Sequence, residues 1–192
     1  MTVTNIMIVG VGGQGSLLAS KLLGRLLVDE GYDVKVSEVH GMSQRGGSVS
    51  TQVHWGEKVY SPVIGEGAAD LMVAFEKMEA VRYARFLKPD GIAVINDYAM
   101  PSSTIAAGLE EYPEGCLEAM TANFKCLTLD AAGIAIDLGN ARCMNIVLFG
   151  AMTEALHLDE IDWEEIIRET VPAKTVELNL AAYHAGRAAV RH

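Results

Sequence analysis

Cysteine is scarce in this 192-residue sequence. Its three copies, Cys116, Cys126 and Cys143, are well separated and form no C-x-x-C pair. That spacing excludes a disulfide framework and gives no iron–sulfur or zinc ligand pattern, so no metal site is expected. Cationic side chains are also few. Fifteen Lys and Arg stand against 25 Asp and Glu, for a net charge of −10 and a pI near 4.9. Broad binding to nucleic acid or to an anionic membrane needs a cationic surface and is not expected. No apolar run reaches the ~18 residues of a membrane span. The opening Met1-Thr-Val-Thr leads directly into a strand-like run, leaving no room for a targeting segment. Free thiols without such a segment suggest a reducing, cytoplasmic setting. There is no Ser/His/Asp order, no His pair at helical spacing and no second basic nucleophile. Repeats, low-complexity tracts and linkers are missing too, so residues 1–192 read as a single domain.

Half the residues are hydrophobic, enough for a sizeable core at this length. The charge is uneven: residues 1–96 carry 9 basic and 10 acidic side chains, and residues 97–192 carry 6 and 15. Asn5 to Gly10 is apolar on both faces, as in a covered parallel strand. Leu18, Leu22, Leu23, Leu26 and Leu27 form a wide apolar helical face within 16–30, stopped by Gly31. Residues 32–39 give the next strand. This is a Rossmann-like β-α-β start, for which a parallel pair is expected.

Residues 48–55 alternate, with Val49, Thr51, Val53 and Trp55 on one face and Ser48, Ser50, Gln52 and His54 on the other. Gly56-Glu57 fits a hairpin turn to a partner strand at 58–60. The expected fold is therefore an α/β single domain in which the β-α-β start leads into a mixed sheet with an antiparallel hairpin, helices packed on it. Further strands are expected at 71–75, 92–96 and 126–129. Helices are expected at 76–87 and 174–187, and at a capping box formed by Asp162 and Glu165. Residues 97–123 read as a loop or short insertion. Lys174 and Asn179 are expected to face solvent. The acidic run from Glu154 to Glu169 reads as a solvated helix face, or as a docking surface for a basic partner.

Two segments carry chemistry. Gly10, Gly12 and Gly15 match G-x-G-x-x-G between a strand and a helix, where backbone N–H groups can approach a phosphate. Glu38, at the end of the second strand, stands where dinucleotide enzymes hold a ribose, although close strand–helix packing also explains the glycines. The second segment runs from Glu38 to Ser48 and places His40, Ser43, Gln44 and Arg45 among Gly41, Gly46 and Gly47. A guanidinium fork beside exposed backbone N–H groups suits a phosphate or carboxylate. The plainer alternative pairs Arg45 with Glu38 or a C-terminal acid. His40 reads as a hydrogen-bonding residue.

Gly10-Val-Gly-Gly-Gln-Gly15 followed by His40-Gly-Met-Ser-Gln-Arg-Gly-Gly47 resembles the small, gamma-type subunit of 2-oxoacid:ferredoxin oxidoreductases, above all the beta subunit of the indolepyruvate branch. The likeness extends to Lys174–Gly186. It implies a role in oxidative decarboxylation of a 2-oxoacid to an acyl-CoA, with electrons passed to ferredoxin. It places thiamine diphosphate and the iron–sulfur clusters in a large partner subunit of a hetero-oligomer. CoA is then a co-substrate, and no cofactor is bound by this chain alone. Gly12, Gly13, Gln14 and Gly15, with Ser43, Gln44, Arg45, Gly46 and Gly47, would form an anion-receiving wall. Arg45 would meet a CoA phosphate or the 2-oxoacid carboxylate. Arg45 and His40 are the candidates for a catalytic role, His40 as a neighbour without proton transfer. A stand-alone NAD(P)-binding enzyme, a purely structural subunit, and the equivalent subunit of a pyruvate, 2-oxoglutarate or 2-oxoisovalerate enzyme stay open.

Overall fold

The computed structural model of the chain describes residues 3–41, 46–158 and 161–191. In chain order it forms β1 (Thr4–Val11), α1 (Ser16–Asp29), β2 (Asp33–His40), β3 (Ser48–Gly56), β4 (Ala69–Ala74), α2 (Lys77–Tyr83) and β5 (Leu87–Asn96). Then come α3 (Ser103–Ala106), α4 (Cys116–Thr121), β6 (Lys125–Leu129), α5 (Ala131–Asp137), α6 (Met144–Ala155), α7 (Trp163–Thr170) and α8 (Val176–Val190). Among the described residues the strands make one six-stranded mixed sheet, ordered β2-β3-β1-β4-β5-β6. β1, β4, β5 and β6 are parallel neighbours, while β3 runs antiparallel to both β1 and β2.

The mixed sheet holds an antiparallel hairpin, but β2 and β3 form it rather than 48–55 with 58–60. No strand forms at 58–60. Residues 57–66 instead run as a loop held by side chains: Val59 N–H donates to Asp33 Oδ2 at 2.9 Å and Ile64 N–H to Gln52 Oε1 at 2.6 Å. A seven-residue connection between β2 and β3 favours an antiparallel neighbour, so β3 inserts between β1 and β2. The expected parallel pair is thereby split: β1 and β2 point the same way but are not adjacent. The alternation of β3 was a sound strand signal, yet its polar face is buried, Ser50, Gln52 and His54 being at most 6% exposed. Residues 88–91 lie within β5 between Leu87, which pairs with Ala69, and Ile92, which pairs with Leu71.

Alternate residues of the central strands feed two cores. Ile6, Ile8, Val53, Leu71 and Val73 pack with α1 and α5–α8, and Met7, Val9, Met72 and Ile95 pack with α2 and α4. Residues 146–152 of helix α6 are apolar and buried all round the helix. It crosses α8 closely, because a Cβ on Gly150 or Gly186 would overlap the backbone carbonyl of Tyr183 or Val147. Phe149 meets Trp163 edge-on at 5.5 Å and Tyr183 at 6.1 Å, which seals α6, α7 and α8 together. Asn179 is buried on α8, against expectation, because its amide donates to Thr175 C=O at 2.7 Å; Lys174 is exposed. Residues 97–123 contain two short helices, α3 and α4. No helix of the described residues is long and apolar enough to cross a membrane.

Candidate functional site

β1 ends at Val11 and α1 begins at Ser16, so four residues must reverse the chain. Gly13 and Gly15 accomplish this with φ of 104° and 88°, a region that costs a Cβ-bearing residue dearly. Gln14 fixes the turn. Its Oε1 accepts from Val11 N–H at 2.7 Å and its Nε2 donates to Phe75 C=O at 3.2 Å. Both amide atoms are therefore committed to backbone. Gly10 leaves room for this side chain, since a Cβ there would lie 2.7 Å from Gln14 Oε1.

The second glycine loop docks on the first. Gly12 N–H donates to Gly47 C=O at 2.8 Å and Gly46 N–H donates to Gly12 C=O at 3.2 Å. Gly12, Gly13, Gln14, Gly15, Gly46 and Gly47 thus lie together. Ser43, Gln44 and Arg45 lie outside the described residues. His40 is exposed at the end of β2, with Nδ1 2.9 Å from Gly41 O. Glu38 is exposed two residues earlier and lies with His40, Gly12, Gly13 and Gly15 along a hollow of about 400 Å³. Because β3 intervenes, Glu38 stands two strand spacings from β1, roughly 10 Å. The ribose-holding acid of a dinucleotide fold sits on the strand next to β1, so this placement argues against that reading.

Helices α2, α5 and α7 are capped by the side chains of Glu76, Asp130 and Asp162. Helices α1 and α6 have no side-chain cap and no acid in the first turn. At α1 the first N–H groups and the positive end of the dipole are left for another acceptor, whereas α6 continues the short helical turn Ala141–Cys143, which Asn140 caps and to which Met144 N–H is already bonded. Both begin on the same cleft, of about 790 Å³, whose lining includes Gly12–Gly15, Gly46, Met144 and Asn145. A second stretch of its wall comprises Tyr98, Met100, Ile136 and Arg142. Arg142 is exposed and makes no ion pair among the described residues. Its own N–H donates to Asn140 Oδ1 at 3.0 Å, which fixes the turn that carries it. The volume suits a nucleotide-sized ligand. The donor set suits an anionic group flanked by apolar surface.

Sequence reasoning missed this second wall. Its local signal was Asn140, a capping residue two positions before a lone arginine. The arrival of Tyr98 and Met100 at the cleft had no local signal. The cysteines suit no iron–sulfur cluster. Cys116 and Cys143 are buried, Cys126 is half-buried, they sit on separate elements, and burial pushes each thiol up from its ordinary value. A cluster needs thiolates that converge.

Comparison with known proteins gives a consistent result. The family profile described as Pyruvate ferredoxin/flavodoxin oxidoreductase matches residues 5–189. Indolepyruvate oxidoreductase subunit IorB of Thermococcus kodakarensis is 42% identical over 188 residues, covering 95% of this chain and 93% of that protein. The subunit of the same name from Archaeoglobus fulgidus is 39% identical over 191 residues, covering 95% and 92%. 2-oxoglutarate synthase subunit KorC of Methanothermobacter thermautotrophicus is 30% identical over 192 residues, covering 95% and 92%. Among solved structures, the gamma subunit of a keto/oxoacid ferredoxin oxidoreductase from Geobacter sulfurreducens superposes with a TM-score of 0.70. It is 22% identical, with 97% of this chain and 98% of that chain covered, and it confirms the fold.

Proposed function

The chain belongs to the pyruvate ferredoxin/flavodoxin oxidoreductase family, and from that premise we propose that it is the small, cluster-free subunit of an indolepyruvate-type 2-oxoacid:ferredoxin oxidoreductase. The observation that supports this most is identity of 32–42% to subunits named IorB along nearly the whole of both chains, against 30% to KorC. In this reading residues 1–192 form one cytoplasmic domain that docks on a large subunit carrying thiamine diphosphate and iron–sulfur clusters. The chain has no activity without that partner. The complex oxidatively decarboxylates an arylpyruvate, yields an acyl-CoA and passes two electrons to ferredoxin.

The part played by this chain is anion reception. The uncapped start of α1 and the docked glycine loops supply backbone donors, and Arg45 supplies the fixed charge that holds a CoA phosphate or the 2-oxoacid carboxylate. Ser43, Gln44 and the Gly46–Gly47 backbone position that group, with His40 as a hydrogen-bonding neighbour. Gln14 acts indirectly, by shaping the loop.

The test is co-expression with the large subunit, followed by an arylpyruvate- and CoA-dependent dye-reduction assay on wild type and Arg45→Ala. Failure to co-purify would sink the subunit reading. Unchanged Michaelis constants for both substrates together with unchanged turnover would sink the role of Arg45. Tight binding of NADH by the purified chain would favour a nucleotide-dependent enzyme instead.

A further inference from the structure

Glu76 is fully buried and pairs with no cation among the described residues. A buried carboxylate is costly unless its oxygens are satisfied, and here three donors converge on it. Oε2 accepts from Glu79 N–H at 2.9 Å, which caps α2. Oε1 accepts from Met100 N–H at 3.2 Å and from the Tyr112 hydroxyl. Capping needs one oxygen, and a short Ser or Asp performs it as well. The second oxygen has its partners only in the segment 97–115.

That segment depends on few anchors. At its start, Lys77 N–H donates to Tyr98 C=O at 3.1 Å and Lys77 Nζ meets Asp97 at 3.0 Å. Further on, the hydrogen bonds of residues 102–110 stay within the segment, Ser102 with Thr104 at 2.8 Å and Thr104 with Glu110 at 3.2 Å. Tyr112 is where its side chains return to the body of the fold. Tyr98, itself one of these anchors, and Met100 line the 790 Å³ cleft.

We propose that Glu76 is a positioning residue: through Met100 and Tyr112 it seats the segment 97–115 so that Tyr98 and Met100 complete the second wall of the cleft. Glutamate suits the place because an acceptor-only group answers three donors. A glutamine that kept Met100 and Tyr112 would turn its amide hydrogens towards Glu79 N–H. Burial, with the neighbouring carboxylate, pushes the Tyr112 phenol above its ordinary value, so it remains a donor. Glu76 touches no ligand itself. Its effect on catalysis rests on the proposed function, in which the cleft receives CoA or the 2-oxoacid.

Tyr112→Phe removes one hydroxyl and leaves the ring. Hydrogen exchange on the full chain should show faster exchange at the amides of 98–100 in this variant, with β1 and β4 unchanged. In the two-subunit complex, KM for CoA or the 2-oxoacid should rise about 3- to 10-fold, the size of one lost hydrogen bond, while kcat stays within about two-fold. Glu76→Gln should act the same way and more strongly. Unchanged exchange at 98–100 would overturn the seating. Loosened exchange with both KM values unchanged would overturn the positioning role. A wild-type complex without 2-oxoacid activity would count against the proposed function alone, because the exchange measurement decides the seating separately.

Discussion

Gln14 and Asn96 donate to the same carbonyl, that of Phe75, from 3.2 and 3.1 Å. One oxygen at the end of β4 thus ties the turn after β1 to the end of β5. Asn96 is fully buried, and its own Oδ1 accepts from Ala131 N–H at 2.9 Å, which starts α5. A chain of side-chain-to-backbone bonds thus runs from the turn after β1 to the start of α5.

Removing either amide should cost stability, and unequally. Asn96→Ala strands a buried N–H of α5 and half the supply to Phe75 C=O, and should lower unfolding free energy by about 2–4 kcal/mol. Gln14→Ala leaves Val11 N–H without its part-buried acceptor and should cost about 1–2 kcal/mol. Since they share a carbonyl, the double variant should depart from additivity by more than about 0.5 kcal/mol. Urea denaturation of the four proteins measures this, and strict additivity would show that the shared acceptor does not couple them.

Gly13 and Gly15 separate backbone strain from steric contact. Both have positive φ, but a Cβ on Gly13 meets nothing within 4 Å, whereas one on Gly15 lies 2.8 Å from Asn145 Nδ2 and 3.1 Å from its Cβ. Gly13→Ala should carry only the conformational cost, about 1–2 kcal/mol. Gly15→Ala should cost about 1 kcal/mol more, because it also pushes Asn145, and with it the start of α6, out of the cleft. Equal losses in thermal unfolding would mean that Asn145 simply moves aside.

The strand and helix sequence was legible because each element carries its own local pattern: an apolar β1, the leucine face of α1, the Asp162 cap. Register and neighbours were not. Nothing in residues 48–56 distinguishes a strand that pairs forward with 58–60 from one inserted between β1 and β2, because the alternation is the same. Of the site, the glycine wall was readable since tight turns demand glycine. Arg142 and Tyr98 were not, since segments remote in sequence bring them to the cleft.

His54 predicts a pH dependence of stability. Its Nδ1 lies 2.9 Å from Asn5 Oδ1, and Asn5 Nδ2 donates to Ala68 C=O, so Nδ1 carries the proton that bonds Asn5. Burial holds the ring below its ordinary value of 6.5. As pH falls through about 6.5 the unfolded chain binds a proton here before the folded chain does, so folding stability declines. The carboxylates held low by their cations, Asp33 at about 2 and Glu154, start to withdraw their contribution only below about pH 4.5. Between pH 7 and 5 the slope should therefore belong largely to His54. His54→Gln should flatten it, and identical slopes for both proteins in pH-dependent denaturation would refute the assignment.

Arg142 predicts the sharpest division between function and stability. It is exposed and free of ion pairs among the described residues, so Arg142→Ala should change unfolding free energy by no more than about 0.5 kcal/mol. In the cleft, by contrast, it shares the lining with the uncapped start of α1, an arrangement that favours an anionic ligand. Losing a charge-assisted bond at a solvent-accessible site should raise KM for the anionic substrate by about 5- to 30-fold. Arg142→Lys should recover part of that loss, since it keeps the charge and loses the fork. The defect should shrink as salt is added, because screening weakens the wild-type contact as well. If both variants keep wild-type KM values for CoA and 2-oxoacid at low ionic strength, the second wall of the cleft holds no anion.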